Sequence, residues 1–71
     1  MKSIGDILRE ARTDFGRSQD DVAKNAGIEK TYLSRLENGH AQPTVEMLIR
    51  ISRAMGCTVS ALMEKFEKDR C

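Results

Sequence analysis

The sequence predicts an all-α domain of five short helices, over about residues 4–15, 18–26, 29–38, 44–55 and 58–67. Apolar residues recur three and four positions apart in these ranges, as they do on the buried face of an α-helix. Ser18, Thr44 and Thr58 begin three of the ranges, where a hydroxyl caps a helix, and a glycine follows the end of four of them. With 71 residues, the chain is predicted to be one domain, 1–71, around one core.

The first helix has a single apolar face. Ser3 is a candidate N-cap with Asp6 three residues later, and Gly16 breaks the helix at its other end. The face is formed by Ile4, Ile7, Leu8, Ala11 and Phe15. This spacing predicts that the helix lies flat on the core.

Residues 18–38 predict two short helices that cross at a steep angle. Ala23 is small enough for the closest approach of the helices, and Gly27 allows the positive φ that ends the first of them. Leu33 and Leu36 form the buried stripe of the second helix, with Ile28 entering the core from the turn. This is the pattern of a helix-turn-helix.

The fourth and fifth helices are expected to leave apolar residues outside the core. Met47 and Ile49 fall off the inward stripe of the fourth, while Met63 and Phe66 extend the fifth beyond it. A second surface, including the tail 58–71, is therefore expected to be covered by another copy of the chain. The predicted core is Ile4, Leu8, Phe15, Val22, Ala23, Ile28, Leu33, Leu36, Leu48, Ile51 and Leu62.

Composition argues against several other classes of protein. Hydrophobic residues make up 39% and aromatic residues 4%, and no apolar run approaches the ~20 residues of a membrane span. The N-terminus has no signal-peptide pattern, so we expect a cytoplasmic protein. Cys57, Cys71 and His40 are too scattered to bind a metal. We found no catalytic constellation, cofactor motif or small-molecule site, and we predict that the chain is not an enzyme.

Five segments occur in order and at unbroken spacing: IGDILREAR, SQDDVAKNAGI, TYLSRLENG, QPTVEMLIRISRAMG and TVSALM. From Ile4 to Leu62 they resemble the phage-repressor and Cro type of helix-turn-helix domain, the xenobiotic-response-element family. The resemblance implies a compact lambda-repressor-like fold whose recognition helix enters a DNA major groove. Within the family it resembles the small regulators of prophages and the controller proteins of restriction-modification systems, and the sequence does not choose between them.

The resemblance also assigns roles to residues outside the recognition helix. It pairs Arg12 with Glu37 in a partly buried ion pair, with two solvated side chains as the alternative. It places Gln19 on a phosphate, unless this residue only favours the helix start. The loop after the recognition helix would lie along the DNA backbone, although a histidine here is more often a plain surface residue. Its candidate phosphate contacts are Asn38, Gly39, His40 and Gln42, the first two through backbone NH groups.

The outward face of the recognition helix carries the candidate DNA contacts. We expect Lys30, Thr31 and Arg35 to contact base edges, while Tyr32 and Ser34 contact phosphates. Glu29 departs from the family pattern, which commonly has Ser or Thr as the cap. The helix start can therefore shift by a residue, which leaves the set of base contacts open.

These expectations combine into a sequence-specific regulator that binds double-stranded DNA as a homodimer on a palindromic operator. The dimer interface would include Ile49, Met63 and Phe66. RNA polymerase is a candidate further partner, and no membrane is expected to be involved. The net charge of only +1 favours an alternative, a protein-interaction module such as an antitoxin or adaptor with weak or no DNA binding.

Overall fold

The computed structural model describes the backbone of residues 3–70 and the side chains of residues 3–64. Its backbone forms five helices and no strand: α1 (Ile4–Asp14), α2 (Gln19–Ala26), α3 (Lys30–Glu37), α4 (Val45–Met55) and α5 (Val59–Arg70). The predicted all-α fold is confirmed, and each helix begins within one residue of its expected start.

Side-chain hydroxyls cap four of the helices. Oγ of Ser3 accepts from the backbone NH of Asp6 at 3.2 Å, and the Asp6 carboxylate accepts in return from the NH of Ser3 at 3.2 Å. Ser18, Thr44 and Thr58 each accept one such bond, all at 3.1 Å. These bonds satisfy NH groups that have no partner within the helix, which is why the starts could be predicted from sequence.

The core lies among all five helices, each of which contributes at least one buried residue. Its buried hydrophobic residues are Ile7, Leu8, Ala11, Val22, Ala23, Ala26, Leu33, Leu36, Ile51, Met55 and Leu62. Phe15 was predicted to be buried and is 49% exposed, because α1 ends at Asp14 and Phe15 lies in the turn that follows. Ile4, Ile28 and Leu48 are only partly buried, since they lie at the edges of this cluster.

A close backbone contact fixes α1 against the end of α3. A Cβ atom on Gly5 would fall against the carbonyl oxygen of Leu36 and 2.9 Å from that of Glu37. Only glycine allows the two backbones to approach this closely. The contact brings the next turns of α1, with Arg9 and Arg12, to the C-terminal end of α3.

Candidate nucleic-acid interface

The turn between α2 and α3 sets which face of α3 points outward. Gly27 has a φ of 72°, the left-handed conformation that ends α2, and the NH of Ile28 donates to the carbonyl of Ala23 at 2.9 Å. Leu33 and Leu36 are then buried, with exposures of 1% and 0%. The opposite face of α3 is therefore free for a ligand.

The structure exposes all three residues predicted to contact bases, Lys30, Thr31 and Arg35. Thr31 and Arg35 are four residues apart and so are neighbours on the helix surface. Nζ of Lys30 lies 3.5 Å from a carboxylate oxygen of Asp20, with side-chain exposures of 57% and 74%. Such a solvated pair is weak, so Lys30 can leave it for a base or a phosphate.

The start of α3 has no side-chain cap. Glu29 is the N-cap residue, with extended backbone angles, and its carboxylate forms no capping bond. Its carbonyl accepts from the NH of Leu33 at 3.1 Å, so the helix begins directly after it. The one-residue shift of the helix start that Glu29 was expected to allow is not seen in this structure.

The opposite end of α3 is held by a buried carboxylate. Glu37 is 2% exposed, and its oxygens accept from Nε of Arg12 at 2.7 Å and from Nη2 of Arg12 at 3.0 Å. Nε2 of Gln19 donates to the same carboxylate at 3.1 Å, and Nε of Arg9 lies 3.8 Å from it. We call these four residues the Glu37 cluster. The cluster joins the first turn of α2 and the C-terminal half of α1 to the end of α3.

Arg12 and Glu37 are thus in contact, and the pair is enclosed, because their side chains are 17% and 1% exposed. Nη1 of Arg12 also donates to the carbonyl of Arg17, at 3.0 Å. Because Nε and Nη2 of Arg12 both donate to the Glu37 carboxylate, this bidentate contact fixes the distance and the relative orientation of the two side chains. The two solvated side chains considered as an alternative do not describe this pair.

Gln19 was expected to contact a phosphate, and the structure gives its amide a second partner. The residue is half-buried, and one hydrogen of its NH₂ group is directed at Glu37. The other hydrogen remains available, since a side-chain amide has two donors. The bond to Glu37 therefore orients the amide.

The loop after α3 uses its backbone NH groups internally. The NH of Asn38 donates to the carbonyl of Ser34 at 3.0 Å, and the NH of Gly39 donates to that of Leu36 at 3.3 Å. These bonds complete the last turn of α3, and the expected phosphate contacts through the two NH groups stay a prediction. Gly39 then has no other donor, whereas Asn38 still has its side chain. His40 and Gln42 are exposed.

Arg9 is the residue of the Glu37 cluster that, like its contact with Asn38, was not predicted from the sequence. Its Nη2 donates to Oδ1 of Asn38 at 2.6 Å and to the carbonyl of Glu37 at 3.2 Å. Nδ2 of Asn38 in turn lies 3.4 Å from Oγ of Ser34. The available signal was the spacing of Arg9 and Arg12, which puts both on one side of α1.

The predicted dimer residues lie in different environments. Ile49 is 38% exposed, and Met63 is half-buried against the core. Phe66 falls within α5, but its side chain lies outside the described residues. Val45, which was not among the predicted dimer residues, is 73% exposed and lies one turn before Ile49 on α4. Cys57 borders a groove beside Ile49, and burial raises the pKa of its thiol, which therefore stays protonated at neutral pH.

Metal-binding clusters and membrane-spanning helices are absent from the part of the chain that the structure describes. No group of His, Cys, Asp or Glu residues within it could hold a metal ion. No helix in the same residues is long and apolar enough to cross a membrane.

Comparisons with known proteins agree with this architecture. A helix-turn-helix family matches residues 8–62, so the chain belongs to this family, as its resemblance to phage repressors implied. The chain is 35% identical to the transcriptional regulator ClgR of Mycobacterium tuberculosis over 60 residues, which cover 84% of this chain and 54% of ClgR. It is 36% identical to the control protein C.MunI of a Mycoplasma species over 62 residues, covering 87% of this chain and 81% of C.MunI.

A solved structure gives the same result. The biofilm regulator SinR in complex with DNA superposes with a TM-score of 0.77 at 29% identity, covering 86% of this chain and 98% of the SinR chain. The chain therefore spans about half the length of ClgR and nearly all of the solved SinR chain.

Proposed function

We propose that the chain is a DNA-binding transcriptional regulator that places α3 in the major groove. The observation that carries this proposal is the exposed polar face of α3, with Lys30, Thr31 and Arg35, on a helix that the Glu37 cluster holds at its C-terminal end. The similarity to a SinR structure that contains DNA supports it.

The contacts would divide by the position of each side chain. Arg35, Thr31 and Lys30 reach base edges, because they are exposed on the face opposite the buried leucines. Phosphates are bound by side chains around this face, namely Gln19, Tyr32, Ser34, Asn38, His40 and Gln42. Gly39 belongs to this set through its backbone NH, which would share its hydrogen between a phosphate and the carbonyl of Leu36, 3.3 Å away.

A salt titration tests the proposal as a whole. Affinity for a random-sequence duplex should fall steeply as salt rises, since bound counterions are released from the DNA. A chain that does not bind duplex at low salt would overturn the proposal. The protein-interaction module would then be the better function, and it is favoured by the net charge of +1 and by two acids at α3, Glu29 at its start and Asp20 beside Lys30.

Arg35 is the residue whose change should alter sequence preference. A guanidinium can bond both O6 and N7 of guanine, a contact worth roughly 1–3 kcal/mol of discrimination. Arg35→Ala should remove the preference at one symmetric pair of positions in a binding-site selection. Gln19→Ala, as the matched control, should weaken binding to all sequences alike. An unchanged consensus with uniformly weaker binding would make Arg35 a phosphate contact.

We further propose that the regulator acts as a homodimer on a palindromic site. Two copies joined through Ile49, Met63 and Phe66 would place their recognition helices roughly 34 Å apart, one turn of DNA. The exposure of Val45 and Ile49 supports an interface that includes α4. Phe66→Glu should weaken dimerisation and DNA binding together, measured by sedimentation and by affinity in reducing buffer. A chain that stays monomeric when fully bound to DNA contradicts the dimer.

RNA polymerase as a partner and a cytoplasmic location are consistent with such a regulator and remain part of the proposal. Co-purification of the polymerase with the DNA-bound chain, but not with DNA alone, would test the first.

A further inference from the structure

Arg9, Asn38 and Ser34 form a chain of hydrogen bonds along the end of α3. Arg9 Nη2 donates to Oδ1 of Asn38 at 2.6 Å, and Nδ2 of Asn38 donates to Oγ of Ser34 at 3.4 Å. The orientation of the amide is fixed by chemistry, because a guanidinium can only donate and so must face the amide oxygen. The NH₂ group of Asn38 is consequently turned towards Ser34.

This series of hydrogen bonds leaves the proton of the Ser34 hydroxyl without an acceptor among the described residues. Two other helical hydroxyls behave differently. Thr13 donates to the carbonyl of Arg9 at 2.9 Å, and Ser52 donates to that of Leu48 at 2.7 Å. Oγ of Ser34 instead accepts from Asn38, so its proton can be given to a ligand.

Arg9 and Asn38 therefore donate in one direction, away from α1 and towards Ser34. A series of bonds that begins at a cation polarises each later donor, which strengthens its bond to an anion. One hydrogen of the Asn38 amide also remains free beside the hydroxyl. A phosphate oxygen is the ligand that two adjacent donors of this kind would bind.

We propose that Arg9 is a positioning residue for phosphate binding, which orients Asn38 and, through it, sets Ser34 as a donor to one DNA phosphate. This rests on the proposed function, because the phosphate is that of the bound duplex. Arg9 itself is 47% exposed and also bonds the carbonyl of Glu37, so it ties the end of α3 to α1.

A double-mutant cycle on the full chain tests the inference. Affinity for a random-sequence duplex is measured at one salt concentration for the parent, Arg9→Ala, Ser34→Ala and the double variant, and melting curves show that each is folded. Losing an oriented bond to a charged group should weaken binding about tenfold in Arg9→Ala. If Arg9 acts through Ser34, the double variant should bind within about twofold of Arg9→Ala.

Two further variants separate orientation from charge. Arg50→Ala removes the same charge from an exposed position on α4, and its loss of affinity should multiply with that of Ser34→Ala. Asn38→Ala interrupts the series of hydrogen bonds and keeps the charge of Arg9. It should lose as much affinity for the duplex as Arg9→Ala does. This variant also carries the test if Arg9→Ala does not fold.

The outcomes distinguish the inference from the function beneath it. A parent chain that does not bind duplex at low salt overturns both. In a chain that binds, losses from Arg9→Ala and Ser34→Ala that multiply would show that Arg9 acts by its own charge. Parental affinity in Asn38→Ala would show the same, and either result overturns the inference alone.

Discussion

The two ends of α3 are held very differently. At the C-terminal end, a carboxylate that is 2% exposed accepts three hydrogen bonds from Arg12 and Gln19, and α1 lies against the helix backbone at Gly5. At the N-terminal end, Glu29 provides no capping bond, and the ion pair of Lys30 with Asp20 is solvated. The helix is therefore fixed at one end and adjustable at the other.

This difference suggests a division of tasks between the two ends. The residues proposed to bind phosphate, such as Gln19 and Asn38, belong to the fixed end. The geometry of the DNA backbone varies little with sequence, so donors that are held in place can bind it. Of the residues proposed to contact bases, Lys30 and Thr31 lie at the adjustable end, whereas Arg35 lies in the last turn of α3, at the fixed end. Substitutions at the fixed end should thus affect the stability of the fold most, and substitutions at the adjustable end should affect it least.

The largest effect is expected at the fixed end, from Arg12→Ala. This change leaves the Glu37 carboxylate buried without its main partner, and breaking a buried pair costs roughly 3–5 kcal/mol. Arg9→Ala is the matched control on the same helix, because Arg9 is 47% exposed against 17% for Arg12. Thermal unfolding should show a much lower melting temperature for Arg12→Ala. Equal melting temperatures would mean that the two ends do not differ as described.

A smaller effect is expected from Gly5→Ala. Alanine normally stabilises a helix relative to glycine by about 1 kcal/mol. Here the new methyl would press on the carbonyl oxygens of Leu36 and Glu37, which are backbone atoms and cannot move aside. We expect a net loss of about 1–3 kcal/mol, as for other overpacked sites, measured by denaturant unfolding. A more stable Gly5→Ala protein would show that α1 and α3 are not in close contact.

The sequence was sufficient for the helices and for most of the core, because these depend on local signals. The caps at Ser18, Thr44 and Thr58 and the spacing of Leu33 and Leu36 specify structure within a few residues. Phe15 was misplaced because its spacing continued the apolar face of α1, while the helix itself ended one residue earlier.

The site was predicted less completely, since its geometry depends on contacts between distant parts of the chain. The partners of Arg9 lie 28 and 29 residues away, and the spacing of Arg9 and Arg12 shows only that the two share one side of α1, not what that side contacts. The pairing of Arg12 with Glu37 came from the family resemblance rather than from residue spacing. The backbone bond of Gly39 could not be foreseen either, because it follows from how the last turn of α3 closes.

The smallest effect is expected at the adjustable end, from Glu29→Ser. The serine hydroxyl could accept from the NH of Tyr32 and supply the missing cap, which is typically worth ~1 kcal/mol. In a domain of this size, the melting temperature should rise by about 4–8 °C. The change also removes a negative charge beside the proposed groove-facing surface, so affinity for all duplexes should rise and depend more steeply on salt.

Glu46→Ser is the control for Glu29→Ser, because Glu46 lies in the first turn of α4, which Thr44 already caps. It removes the same charge where no cap can be gained, and it should leave the melting temperature unchanged or slightly lower. If the two variants melt alike, the start of α3 gains nothing from a cap. The N-terminal end would then be held by its packing, and the contrast between the two ends of α3 would reduce to the Glu37 cluster alone.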